Sequence, residues 1–360
     1  MAENPFALLR TYPSFFSSLF ADLESAKSSI RVQMYCVEAG ATAERFRKIL
    51  SAKAQSGLPV EIMYDSVGSI STPSYYFDEM AKAGVAVKEY HPVNPRRVRE
   101  GAYSIKKLFR RNHRKLIIID SDIYYLGGMN IGDRFHDWED LMVRGAGGPV
   151  AELEKSFDRV WHKTPRWPSL QRYHFKSDSP IMVCDCRPQL NNYPIKRLYI
   201  SAIKKAKKRI WIALAYFVPR RNIMKALSQA VNRGVDVRVV VPDVSDIKLV
   251  NLASWPVIRR LVKKGVRIFR FENRMMHSKL AIIDDDWMTV GTANLDSMSF
   301  YWNLELNLVV RDKQIVKTVA EYFEDYQHES REVMLGDAEA RPLPMRLLGR
   351  MLYYYSSWIL

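Results

Sequence analysis

Two stretches of this 360-residue chain carry the same residues at the same spacing, and only a fold with an internal duplication accommodates both. "HRKLIIID" at 113 to 120 and "HSKLAIID" at 277 to 284 agree at His113 and His277, Lys115 and Lys279, and Asp120 and Asp284. The register continues downstream to Gly127 and Gly291, then to Asn130 and Asn294. Each identity has a chance of about one in twenty, so five together are a remote coincidence.

The flanks repeat as well. "SAKSSIRVQMYCVEA" at 25 to 39 answers "KAKKRIWIALAYFVP" at 205 to 219, each a helix end, an isoleucine-led strand and a tyrosine, Tyr35 or Tyr216. "SGLPVEIMYD" at 56 to 65 answers "RGVDVRVVVPD" at 233 to 243, and "AGVAVKEY" at 83 to 90 answers "KGVRIFRF" at 264 to 271. Helix, glycine stop, β-branched strand is an α/β signature. Apolar residues at three-to-four spacing predict helices over about 42 to 55, 222 to 232 and 252 to 264. The expected fold is α/β: two pseudo-symmetric halves, each a sheet flanked by helices, with the active site at their interface. The halves are expected at 1–170 and 171–330, followed by a basic, aromatic tail at 331–360.

Apolar residues make up 48% of the chain and charged ones 26%, the balance of a folded protein rather than a disordered one. Lysine and arginine exceed aspartate and glutamate by 55 to 39, a net charge of +16, which points to an anionic partner: nucleic acid, an anionic membrane or a phosphate-bearing substrate. Residues 94 to 115 concentrate that charge, with nine basic residues against one glutamate leading into His113. Three cysteines, Cys36, Cys184 and Cys186, are too few for a disulfide framework and suit a reducing cytosol. No basic leader precedes an apolar core at the N-terminus, and no stretch approaches the roughly 18 apolar residues of a spanning helix, so the chain is expected to be soluble or peripheral.

Strand parity gives the motif its chemistry. His and Lys at i and i+2 face one side, while Ile117, Ile119, Ala281 and Ile283 anchor the strands. Two histidines, two lysines and two asparagines form a donor-rich set without the carboxylate cluster that Mg²⁺ or Ca²⁺ requires. The seven histidines show no short paired spacing of a zinc site. Such a set suits a phosphodiester with no metal and no cofactor. One neutral imidazole can attack phosphorus while the other, protonated, donates to the leaving group; Lys115, Lys279, Asn130 and Asn294 would stabilise the non-bridging oxygens. Asp120 and Asp284 complete the motif but have the opposite parity, which fits holding the strand turn better than touching substrate.

At these residues the chain resembles the phospholipase D superfamily, whose H-x-K-x₄-D motif with a downstream glycine and asparagine is complete in both copies. The resemblance implies a phosphohistidine intermediate, with His113 as nucleophile and His277 as acid and base. It also implies an acid beyond each asparagine to orient a histidine: Glu305 in "NLELN" and Asp140 in "DWED". "YFVP", "RGVDVRVVVPDVSD", "GTANLDSMSFYWNLELN" and "GGMNIGD" are most similar to bacterial cardiolipin synthases, over about residues 25 to 328. That subgroup joins two phosphatidylglycerols into cardiolipin and releases glycerol, which implies a peripheral enzyme on the cytoplasmic face of the bacterial inner membrane. The same residues would serve a hydrolytic phospholipase D, or a nucleic-acid phosphodiesterase. The tail "RPLPMRLLGRMLYYYSSWIL" offers either a membrane-interface helix or a helix docked on the core.

Overall fold

A computed structural model describes residues 6–93, 108–162, 180–187, 193–272 and 274–359, with the side chains of 338 and 356–359 outside the description. Most of the basic run at 94 to 115, the expected boundary at 170/171 and the side chain of Trp358 therefore lie outside the described residues. The chain divides into two compact units, Met1–Asp185 with Asn303–Leu306, and Cys186–Trp302 with Asn307–Leu360.

The first unit runs β1 (Phe6–Leu9), α1 (Tyr12–Ser25), β2 (Ile30–Met34), α2 (Ala41–Gln55), β3 (Val60–Asp65), α3 (Ser74–Lys82) and β4 (Ala86–Tyr90). After the undescribed stretch come β5 (Lys115–Ile119), β6 (Ile123–Gly127), β7 (Met142–Ala146) and α4 (Val150–Trp161). Its sheet has the order β1-β7-β6-β5-β2-β3-β4. β2, β3 and β4 are parallel, as helical crossovers require, whereas β5, β6 and β7 alternate in direction because tight turns join β5 to β6. The core lies between this sheet and α1 and α2. Thr11 caps α1, its Oγ1 accepting from the Ser14 N–H, and Pro13 sits in the first turn, where it removes no helical bond. Phe15, Leu19 and Leu23 then fall on one face and are fully buried, each stabilising the fold by roughly 1.5–3 kcal/mol.

β8 (Ile181–Cys186) carries the chain to the second unit: α5 (Pro194–Lys205), β9 (Arg209–Leu214), α6 (Arg221–Asn232), β10 (Asp236–Pro242), α7 (Lys248–Val262) and β11 (Arg267–Phe271). β12 (Lys279–Ile283), β13 (Trp287–Gly291), α8 (Ser297–Tyr301), β14 (Glu305–Val310), α9 (Lys313–His328), β15 (Ser330–Glu332), α10 (Leu335–Glu339) and α11 (Leu343–Ile359) follow. The strand order β11-β10-β9-β12-β13-β14 reproduces β4-β3-β2-β5-β6-β7, with β15 added beside β11. The register repeats too: Lys115 pairs with Met34 and Ile119 with Ile30, as Lys279 pairs with Leu214 and Ile283 with Ile210. The duplication is thus one of hydrogen-bond pattern as well as of sequence.

Candidate active site

His113 stands immediately before β5, on a segment pinned by a buried ion pair. The Arg111 Nε donates to Asp65 Oδ1 at 2.9 Å and Oδ2 at 3.1 Å, and the Asn112 backbone N–H donates to Oδ2 at 2.8 Å. Asp65 also accepts from the Val67 and Gly68 N–H groups. Burial raises the Asp65 carboxyl above its usual range, while Arg111 and these bonds pull the other way. Arg111 reaches on to the Tyr90 and His91 carbonyls, so the residues ahead of His113 are fixed on several sides.

Residues 303–306 supply the remaining hold. The His113 N–H donates to the Leu304 carbonyl at 3.0 Å, and the Leu304 N–H donates to the Arg111 carbonyl at 2.8 Å. This alignment sets Glu305, fully buried, against the imidazole: His113 Nδ1 lies 3.1 Å from both Glu305 oxygens. A buried carboxylate accepts, so Nδ1 carries the proton and Nε2 keeps a lone pair. Glu305 lies in the second half of the sequence and orients the histidine of the first.

The Lys115 ammonium donates to the His113 carbonyl at 2.7 Å and sits 4.8 Å from the centre of the Tyr35 ring, which meets the His113 ring edge to face at 4.7 Å. Burial, and then Asp65, push the Tyr35 phenol well up, so it stays neutral beside the lysine. Arg114, of opposite parity, points away to Ser156 and Asp185. The second copy matches: the Lys279 ammonium donates to the His277 carbonyl, and the Tyr216 ring lies edge to face with His277 at 6.1 Å. Tyr35 and Tyr216 stand out in the sequence only as markers of the repeat. Their place beside each histidine is a structural finding.

Asn130 and Asn294 are buried, Asn130 through a backbone bond to the Tyr12 hydroxyl and Asn294 through one to Ser299 Oγ. The Asn130 Oδ1 has no hydrogen-bond partner among the described residues, and the Tyr216 N–H donates to Asn294 Oδ1 at 3.4 Å. Asp140, also fully buried, stands two residues before Met142, which pairs with Gly127; Glu305 stands two before Asn307, which pairs with Gly291. The two acids therefore occupy one register of the repeat. Gly128 leaves Asp140 its room: a Cβ there would meet Asp140 Oδ1 at 2.1 Å. Asn307 was not anticipated; its amide accepts from the Ala293 N–H and donates to Thr289 Oγ1, steadying the loop that carries Asn294.

Asp120 and Asp284 fall at the far ends of β5 and β12, about 16 Å along the strand from the lysines at 3.3 Å per residue. They complete the motif in sequence but stand at the opposite end of each strand from the lysines. Asp120 accepts from the Lys27, Ser28 and Ser29 backbone N–H groups, and Asp284 from those of Lys207, Lys208 and Arg209. Both have positive φ, +56° and +55°, a conformation that aspartate tolerates better than most residues. Among the described residues no group of three His, Cys, Asp or Glu side chains could hold a metal ion, and Cys36, Cys184 and Cys186 are buried.

The family model described as "Cardiolipin synthase, PLD-like domain" matches residues 19–161 and 199–326. A cardiolipin synthase of Geobacillus kaustophilus (strain HTA426) is 32% identical over 356 residues, covering 95% of this chain and 70% of that relative. Cardiolipin synthase A of Pseudomonas putida (strain GB-1) is 30% identical over 349 residues, with 94% and 71% covered. Among solved structures, a phosphatidylserine synthase from Haemophilus influenzae Rd KW20 matches with a TM-score of 0.75 over 99% of this chain and 94% of its own, at 14% identity. A polyphosphate kinase from Porphyromonas gingivalis matches at 0.61 over 89% and 50%, also at 14% identity. At that identity both show the fold alone.

Proposed function

The chain belongs to the cardiolipin synthase family of phospholipase D-like proteins, and from that premise we propose that it is a phosphatidyltransferase joining two phosphatidylglycerols into cardiolipin and glycerol. The observation that carries the mechanism is the buried Glu305 carboxylate on His113 Nδ1, which leaves Nε2 as the nucleophile and stabilises positive charge on the ring. Nε2 of His113 attacks the phosphorus of the first lipid. The phosphorus–oxygen bond to glycerol breaks, and His277 gives its proton to the departing oxygen. The second lipid's hydroxyl then returns a proton to His277 while its oxygen attacks the phosphohistidine, and the phosphorus–nitrogen bond breaks.

Lys115, Lys279, Asn130 and Asn294 are assigned to the non-bridging oxygens, where donors fixed before reaction act most strongly. Asp140, in the register of Glu305, is assigned the same task of orienting a motif histidine. We place the enzyme peripherally on the cytoplasmic face of the bacterial inner membrane. Its net charge of +16 favours anionic lipid, and no helix among the described residues is long and apolar enough to cross a membrane.

The test is product identification by mass after incubation with phosphatidylglycerol vesicles, with single-stranded and duplex DNA in parallel. Cardiolipin and glycerol are expected, both vanishing in His113→Ala and in His277→Ala, with acid-quenched phosphoenzyme labelled at His113. Phosphatidic acid as the sole product would make the enzyme a hydrolytic phospholipase D, and cleaved DNA would make it a nuclease.

A further inference from the structure

Helix α11 has two unlike faces. One docks on α7: a Cβ at Gly349 would come within 2.7 Å of the Leu252 carbonyl oxygen, and the buried Tyr353 donates its hydroxyl to the Pro219 carbonyl at 3.3 Å. The other leaves Leu343, Leu347, Leu348, Met351, Tyr354 and Tyr355 exposed, between 41% and 62% each. Near the start of α7, Val244, Ile247 and Leu249 are exposed as well. Solvent alone gives no reason to present so many large apolar side chains on one helix.

Between α7 and α11 runs a groove of about 510 Å³ whose walls carry seven cations: Arg259, Arg260, Lys263 and Lys264 from one side, Arg341, Arg346 and Arg350 from the other. Glu339 engages Arg259 at 2.9 Å and Lys263 at 3.1 Å, and none of the other five has a carboxylate partner among the described residues. Arg341 lies over the Trp255 ring at 3.7 Å, and burial, then the neighbouring Arg270, hold it below the usual arginine range. Two donors of wall residues, Trp255 Nε1 and Arg259 Nε, are buried without an acceptor among the described residues, and Trp255 itself is only 8% exposed. An anion in the groove would relieve the crowding of like charge along its walls.

We infer that this groove binds the phosphate of an anionic phospholipid at the bilayer surface while the exposed face of α11 enters the acyl boundary. Charge complementarity and the adjoining apolar face together select a lipid over a soluble phosphate, which would use the cations but not the leucines. The site takes from the proposed function only that the enzyme meets an anionic bilayer. It uses none of the motif residues.

The experiment measures sedimentation of the full chain with phosphatidylglycerol-containing and pure phosphatidylcholine vesicles, at low and high salt. Turnover of a soluble short-chain phosphatidylglycerol and thermal melting run alongside. The charge variant Arg260→Gln/Arg346→Gln/Arg350→Gln should bind anionic vesicles roughly 100-fold less well, from about 1 kcal/mol per basic residue. The apolar variant Leu347→Ser/Met351→Ser/Tyr355→Ser should bind at low salt but lose the salt-resistant fraction. Both should melt near wild type and keep soluble-substrate turnover. Wild-type vesicle binding by the charge variant overturns the site, and release from vesicles by millimolar inorganic phosphate makes it a phosphate site instead. If neither wild type nor variants turn over the soluble lipid, the proposed function fails while the vesicle result still decides the groove.

Discussion

At the scale of the residue, Glu305 shows what a single carboxylate can do when it is buried and aimed. It accepts from His113 Nδ1 with both oxygens equally distant, so it fixes the tautomer. Glu305→Gln keeps the shape and removes the charge, and is expected to lower kcat by about a hundredfold or more while KM changes only a few-fold. Unchanged kcat, with melting also unchanged, would reduce the pair to a structural contact. The acid itself is legible in "NLELN", but its partner is not, because spacing along a chain does not say which histidine a side chain reaches. Asn307, Tyr35 and Tyr216 are harder still. An amide and two phenols at strand ends are common in any α/β protein, and only the hydrogen-bond and ring geometry gives them a place beside the motif.

At the scale of the element, the strands β5 and β12 work as rods tied at both ends. One end holds histidine and lysine; the other is stapled by Asp120 or Asp284 to the loop entering β2 or β9. Burial acts to raise the Asp120 carboxyl, but the Ser28, Ser29 and Lys27 N–H groups outweigh it and hold the group below its usual range. A depressed folded pKa stabilises above the unfolded value near 4, and the contribution is lost as pH falls through the folded one. Asp120→Ala is therefore expected to cost about 2 kcal/mol in urea unfolding at pH 7, with the difference from wild type shrinking as pH falls below the unfolded value, while turnover of the folded enzyme falls less than threefold. A hundredfold loss of turnover with stability intact would return Asp120 to the chemistry. The inner strands are readable because β-branched runs follow glycine stops, as at 60–65 and 236–242. The edge strands β1, β8 and β15 are not, since short edge segments with mixed exposure carry little periodicity. The tail helix α11 docks one face on α7 and leaves apolar side chains exposed on the other, a division that helical periodicity alone does not assign to core or surface.

At the scale of the whole molecule, the strand order of the second unit repeats that of the first, and each repeat buries one lysine at the head of its motif strand. In the proposed mechanism these fixed cations supply the field that a divalent ion would otherwise bring to a phosphoryl transfer. Turnover is expected to survive millimolar EDTA; loss on chelation, restored by one added metal, would sink that reading. The duplication is legible in the sequence from its first motif to its last. The passage of residues 303–306 into the first unit is not, because nothing in four ordinary residues marks them as belonging elsewhere. That passage bears on how the protein is born. While the ribosome is still making the second half, the nascent first unit lacks both the backbone partner of His113 and the acid that sets its proton. In the proposed mechanism, His113 gains the carboxylate that sets its tautomer only after residue 305 emerges. A chain interrupted before that point leaves a fragment in which the same histidine has neither its acid nor its backbone partner.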